Sequence, residues 1–139
     1  ASPSARLALE DAAELVRPGG EIDLVFVDDR GGRGRQTAAR AALDEKPNVM
    51  VIIDSPDFTH RVARRVRKKN RNIPIVDYVS PSVWAWRPGR ARAMRRYIDH
   101  VLALLPFEPE VHRELGGPPC TYVGHPLVQQ IGELRPNSD

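Results

Sequence analysis

The sequence predicts an α/β fold built on a doubly wound, mainly parallel sheet, and three observations carry that prediction. Short apolar runs rich in β-branched residues recur at 49–53, 73–79, 101–105 and 120–123. Continuous rather than alternating apolar character marks strands covered on both faces. Each run is separated from the next by a helix-like segment, and parallel strands need such crossovers. At 139 residues the chain also fits one domain with a core of its own.

The elements follow in order. Residues 4–16 carry Leu7, Leu9, Ala12, Ala13, Leu15 and Val16 and stop at Pro18-Gly19-Gly20, which predicts a helix. Residues 22–27 predict a strand. Residues 28–35 form a polar, glycine-rich stretch that reads as a surface turn. An anion-binding loop is the alternative, although neither the GxGxxG nor the P-loop pattern is present. Residues 36–46 are alanine-rich and predict a helix ended by Pro47. The strand at 49–53 then breaks at Asp54-Ser55-Pro56-Asp57.

Residues 58–69 predict the best helix of the chain, with Phe58, Val62 and Val66 on one face and Arg61, Arg64, Arg65, Arg67, Lys68 and Lys69 on the other. Ser55 and Asp57 are candidate N-caps, and Asp57 suits the helix dipole. The basic face reads as solvated. A strand at 73–79 leads into a loop that holds both tryptophans. A basic helix is expected at 89–98, with Met94, Tyr97 and Ile98 turned inward. After the strand at 101–105 comes a helix from Pro106 to about Leu115, closed by Gly116-Gly117. A strand at 120–123 and a last helix to about Leu134 complete the series.

Composition narrows the function. Net charge is +3 and the isoelectric point is near 9.4, which leaves phosphate-bearing partners and an anionic membrane surface open. The single Cys120 excludes an internal disulfide framework, suits a reducing compartment and reads as a structural thiol. No apolar run approaches the roughly 20 residues of a spanning helix. The start, Ala1-Ser-Pro-Ser, has no signal-peptide pattern and no initiator Met, so the chain is expected to begin inside a longer one.

If the strands are parallel, the loops after them share one edge, where open α/β sheets bind ligands. That edge would gather Asp54, Asp57, Ser80, Ser82, Trp84, Trp86, Arg87, Glu108 and His125. Asp54, at a strand tip, is the candidate general base; Asp57 reads as a helix cap or as a catalyst. Ser80, Ser82, Trp84, Trp86 and Arg87 read as a platform for a sugar, acyl chain or phosphate, or as a loop packed on its own domain. Glu108 reads as first-turn dipole chemistry. His125, between Gly124 and Pro126, is a site residue or a turn residue bonded to backbone.

Four motifs then stand in order: Ile53-Asp-Ser-Pro-Asp-Phe58, Tyr78-Val-Ser-Pro-Ser-Val-Trp-Ala-Trp-Arg87, Leu104-Leu-Pro-Phe-Glu-Pro109 and Tyr122-Val-Gly-His-Pro-Leu127. In order and spacing this set resembles the lipid-A-disaccharide synthase family, over roughly residues 36–135. The resemblance implies a Rossmann-like half of an inverting GT-B glycosyltransferase. Such an enzyme joins UDP-2,3-diacylglucosamine to 2,3-diacylglucosamine 1-phosphate, forms lipid A disaccharide 1-phosphate and releases UDP. It implies no metal, no organic cofactor and no nucleic-acid partner.

On that resemblance Asp54 is the expected base and Asp57 the runner-up. Ser80, Ser82 and Arg87 would orient the acceptor sugar and its phosphate, Trp84 and Trp86 would line its apolar surface, and His125 would sit near an interdomain cleft, with Glu108 also at the site. The chain is expected to be cytoplasmic and peripheral on the inner membrane, its basic helices favouring an anionic bilayer surface. Residues 1–35 match nothing of the family's opening and are expected to be a divergent segment. Residues 36–139 would be a partial acceptor-side domain, with the UDP-binding domain absent. The competing expectation is a non-catalytic domain that binds an acyl sugar or a membrane surface and is inactive alone.

Overall fold

A computed structural model describes residues 34–53, 55–85 and 87–125. Four helices and four strands alternate along them: α1 (Gly34–Asp44), β1 (Met50–Ile53), α2 (Pro56–Lys69), β2 (Ile75–Tyr78), α3 (Gly89–Met94), β3 (His100–Ala103), α4 (Glu108–Glu114) and β4 (Cys120–Tyr122). The strands form one sheet in the order β1-β2-β3-β4, and every pairing is parallel. The predicted α/β class and parallel sheet are therefore what the chain adopts. The helix expected at 4–16, the strand at 22–27 and the helix after His125 lie outside the described residues.

Register explains how the sheet divides its side chains. Ile52, Asp77, Val101 and Cys120 are paired across the four strands and so share one face. That face meets the helices. Ala38 and Ala39 of α1, Val62, Ala63 and Val66 of α2, and Ala91 and Met94 of α3 pack there with Ile52, Ile75 and Val101. Val76, Tyr78 and Leu102 point the other way into a second apolar cluster, to which no described helix contributes. Fully burying one such aliphatic side chain contributes about 1.5–3 kcal/mol, so these two layers dominate the stability of the sheet.

Local chemistry sets the ends of the elements. Pro56 occupies the first turn of α2, where its missing N–H costs nothing. Ser55 stands at the N-cap, but its side chain caps nothing; φ is 42° there, and its carbonyl instead accepts from Phe58 N–H and Thr59 N–H. The expected side-chain cap is thus replaced by a backbone turn, while Asp57 does lie in the first turn and favours the dipole. α4 ends in a Schellman motif: Gly116 N–H reaches the Arg113 carbonyl and Gly117 N–H the His112 carbonyl, with φ 69° at Gly116.

Several helix boundaries differ from expectation: α1 ends at Asp44 rather than at 46, α2 starts at Pro56 rather than at 58, and α4 starts at Glu108 rather than at 106. Gly34 and Arg35 belong to α1 rather than to the preceding turn. The helix expected at 89–98 stops at Met94. Tyr97 and Ile98 are buried as expected, but they follow a tighter turn in which Arg96 N–H bonds the Ala93 carbonyl. The early turn brings Asp99 against β2, where its backbone N–H bonds the Ile75 carbonyl and its carboxylate accepts from Ile75 N–H.

Candidate functional site at the carboxyl edge

With all four strands parallel, the connections that leave them open on one edge. Ser80, Ser82, Trp84 and Arg87 lie in the connection after β2, Glu108 in the first turn of α4, and His125 three residues past β4. Asp57 lies in the first turn of α2. Asp54 and Trp86 fall outside the described residues.

A cleft of about 480 Å3 lies between the start of α2 and the segment that leads into α3. Pro56, Asp57, His60, Arg61 and Arg64 line one wall, and Arg87, Gly89, Arg90 and Ala93 the other. Four guanidinium groups thus face one carboxylate. That carboxylate, on the exposed Asp57, stands 3.8 Å from Arg90. Arg61 and Arg87 make no ion pair among the described residues. The basic face of α2 is solvated as expected at Arg61, Arg64, Arg65, Lys68 and Lys69, all exposed; of these Arg61 and Arg64 also line the cleft, while the partly buried Arg67 pairs with Asp99.

Beneath the cleft lies a polar chain that the sequence reading missed. His60, Asp77 and Tyr97 are 2%, 1% and 4% exposed. His60 Nε2 lies 2.8 Å from Asp77 Oδ2, and Nδ1 lies 3.0 Å from the Tyr97 hydroxyl. With the ring proton on Nε2, His60 donates to Asp77 and accepts from Tyr97. The Tyr97 oxygen in turn accepts from Arg64 at 3.3 Å, and the Arg64 guanidinium lies over the Tyr97 ring, 4.7 Å from its centroid. A signal existed. Asp77 is a lone carboxylate inside an apolar strand, and burial without a partner is prohibitive.

The other half of the edge is apolar and braced from within. Trp84 (50% exposed) packs edge-on against Phe107 (45% exposed), with ring centroids 5.4 Å apart. Glu108 is buried under them. Its carboxylate accepts from Leu105 N–H at 3.1 Å and from the Trp84 side chain, so it ties two loops together rather than facing solvent. Burial pushes the Glu108 carboxyl above its ordinary range, and those hydrogen bonds offset part of the rise.

Ser80 is also turned inward. Its hydroxyl lies 2.9 Å from the Pro81 carbonyl and 2.6 Å from His112 Nε2, while His112 Nδ1 is buried with no partner. A buried acceptor without a partner is the less costly orphan, which puts the ring proton on Nε2. His112 then donates to Ser80, and Ser80 donates to Pro81. In that arrangement the histidine braces the serine and does not act as its base. Burial holds the His112 pKa below the usual histidine value.

Val79 makes the inward turn. Its φ of 76° is rare for a β-branched residue and swings the chain out of strand geometry just before Ser80. Ser82 and Arg87 remain exposed, and His125 is partly buried. Cys120 fits its structural reading. Burial, with Glu108 and Asp77 adding negative charge nearby, pushes its pKa up to about 12. Among the described residues no group of three or more His, Cys, Asp or Glu is placed to hold a metal ion.

The comparison with protein families decides the lineage. The family model described as lipid-A-disaccharide synthetase matches residues 33–139. The chain belongs to that family. Curated lipid-A-disaccharide synthases resemble it closely: that of Nitrobacter hamburgensis is 73% identical over 106 residues, covering 76% of this chain and 26% of the relative. That of Nitrobacter winogradskyi is 76% identical over 100 residues, or 72% of this chain and 25% of the relative. A more distant one, from Rhodospirillum centenum, is 52% identical over 90 residues, covering 65% and 22%. The chain therefore spans about a quarter of the length of the curated relatives it matches. The sheet and its crossovers are the Rossmann-like part of this GT-B family, and the motif loops are the segments that converge on its carboxyl edge.

Proposed function

We propose that this chain supplies the acceptor side of a lipid-A-disaccharide synthase. The reaction transfers a diacylglucosaminyl group from UDP-2,3-diacylglucosamine to the 6-hydroxyl of 2,3-diacylglucosamine 1-phosphate and releases UDP. A carboxylate takes the hydroxyl proton as the oxygen attacks the anomeric carbon, and the C–O bond to UDP breaks on the opposite face. Asp54 is the base in this reading and Asp57 the alternate. Asp57 has the exposure such a role needs. Ser82 and Arg87 orient the acceptor, and the Trp84 ring, with Trp86, offers apolar surface to it. Ser80 and Glu108 keep the loop in shape from beneath, and His125 closes the far end of the edge near an interdomain cleft.

The observation that carries this reading is the convergence of family motifs on one sheet edge, at more than 70% identity to synthases. In this reading residues 36–139 are part of an acceptor-side domain, residues 1–35 are a divergent segment, and the contacts to UDP belong to a second domain outside this sequence. No described helix is long and apolar enough to cross a membrane. Trp84, Leu105, Phe107 and Tyr122 are exposed, and α2 carries the exposed cations Arg65, Lys68 and Lys69. This arrangement supports peripheral attachment to the anionic inner membrane from the cytoplasmic side.

A chimera tests the reading. Residues 33–139 replace the matching segment of the Nitrobacter hamburgensis synthase, and disaccharide and UDP are measured. The chimera turns over; Asp54→Ala in it lowers kcat by about 100-fold or more, and the 139-residue chain alone gives no disaccharide. A folded chimera without activity, or an Asp54→Ala chimera at full rate, overturns the proposal.

A further inference from the structure

The arginine cleft and the polar chain beneath it account for one another. A helix face that needs only solubility has no use for a guanidinium anchored to a buried hydroxyl. Arg64 has that anchor, both by hydrogen bond and by stacking on the Tyr97 ring. The anchor is itself fixed, because Tyr97 donates to His60 and His60 to Asp77 in the central part of the sheet. Every polar atom in this run has a partner, so the phenolic oxygen presents a lone pair in one direction, towards Arg64. Facing Arg64 across the cleft are Arg87 and Arg90, with Arg61 on the same wall.

We propose that this cleft is a binding site for a phosphate monoester. In it Arg61, Arg64, Arg87 and Arg90 take the dianion, and Tyr97, His60 and Asp77 act as positioning residues for Arg64. Guanidinium groups match phosphate oxygens with paired donors, and a fixed one loses less side-chain entropy on binding. The volume, about 480 Å3, accommodates the phosphate and a sugar that bears it. Asp57, at 3.8 Å from Arg90, is the resident counter-charge that an incoming phosphate displaces. The assignment deepens the acceptor-side reading and rests on it only for the identity of the molecule that carries the phosphate.

Binding, not turnover, tests the site, so a failed transferase assay leaves it standing. Inorganic phosphate and glucosamine 1-phosphate are titrated into the chain calorimetrically, alone and in competition. Vesicles of phosphatidylcholine with and without phosphatidic acid provide the lipid arm. Both soluble ligands bind saturably and compete. Arg64→Gln weakens them about tenfold, Tyr97→Phe, which keeps the ring, about threefold, and Lys68→Gln not at all.

Competition by the phosphatidic acid vesicles assigns a lipid headgroup as carrier, and competition by the soluble ester alone assigns a free one; either supports the cleft. Absence of saturable binding, or an equal loss in Lys68→Gln, overturns the site. Wild-type affinity in Tyr97→Phe overturns the positioning role. Should that variant unfold, Arg64→Lys, which keeps the charge but loses the fork, gives the same loss if the role is real and none if it is not.

Discussion

His60 and His112 are both sealed in helices on the same face of the sheet, and they are held in opposite ways. His60 uses both ring nitrogens, one on a strand carboxylate and one on a tyrosine. His112 uses one, on a serine hydroxyl, and leaves the other facing Gly117. The first is part of a chain that reaches the surface at Arg64. The second ends at a carbonyl and reaches nothing beyond its loop. A buried histidine with a charged partner transmits orientation, whereas one with a neutral partner fills space and braces a turn.

Removing Asp77 attacks this contrast most strongly. Asp77→Ala leaves His60 Nε2–H without an acceptor in the core, and urea unfolding is expected to show a loss of about 3 kcal/mol or more. Asp77→Asn, which keeps an acceptor, recovers part of it. If Ser80→Ala costs as much as Asp77→Ala, the two histidines are equivalent and the distinction fails.

Gly117→Ala probes the other histidine. A Cβ there would lie 2.5 Å from His112 Nδ1, a separation that atoms do not tolerate. The ring must move and loosen its hold on Ser80. Thermal unfolding is expected to report a loss of about 1–3 kcal/mol, and a melting temperature unchanged from wild type would show that the ring has room to spare.

The smallest effect is on pH dependence. Burial lowers the His112 pKa in the folded chain below its ordinary 6.5. Below pH 6.5 the unfolded chain therefore binds a proton that the folded chain refuses. The contribution is complete above pH 6.5 and is lost as pH falls towards the folded value, at no more than about 1.4 kcal/mol per pH unit. His100, lowered by its own burial, acts in the same direction. Unfolding midpoints at a series of pH values should fall on the acid side in the wild type and fall less steeply in His112→Gln. Equal slopes would assign the acid limb to other groups.

Much of this was legible in the sequence because it depends on short-range pattern. Continuous apolar runs located all four described strands to within two residues at either end, and parallel geometry followed from the helices between them. The loop cluster came from the same step. What lay beyond reach depends on long-range pairing or on an unlikely backbone. His60 meets residues 17 and 37 positions away, and nothing local distinguishes Arg64 from Arg65. Ser80 reads as a site residue in a motif loop and Glu108 as first-turn dipole chemistry at the same edge. The inward turn of Ser80 follows the left-handed backbone at Val79, a residue type that gives no hint of it, and Glu108 is held inward by Leu105 N–H and the Trp84 side chain.

The strand order has one further consequence, for the route by which the sheet forms. Each strand pairs with the strand next to it in the chain: Met50 with Ile75, Val76 with His100, Val101 with Cys120. Every closure therefore spans roughly 20–25 residues, a modest entropic demand. Among the described strands none has to be threaded between two that are already paired. The sheet can grow by adding one crossover unit at a time to an open edge, in the order in which a ribosome delivers them.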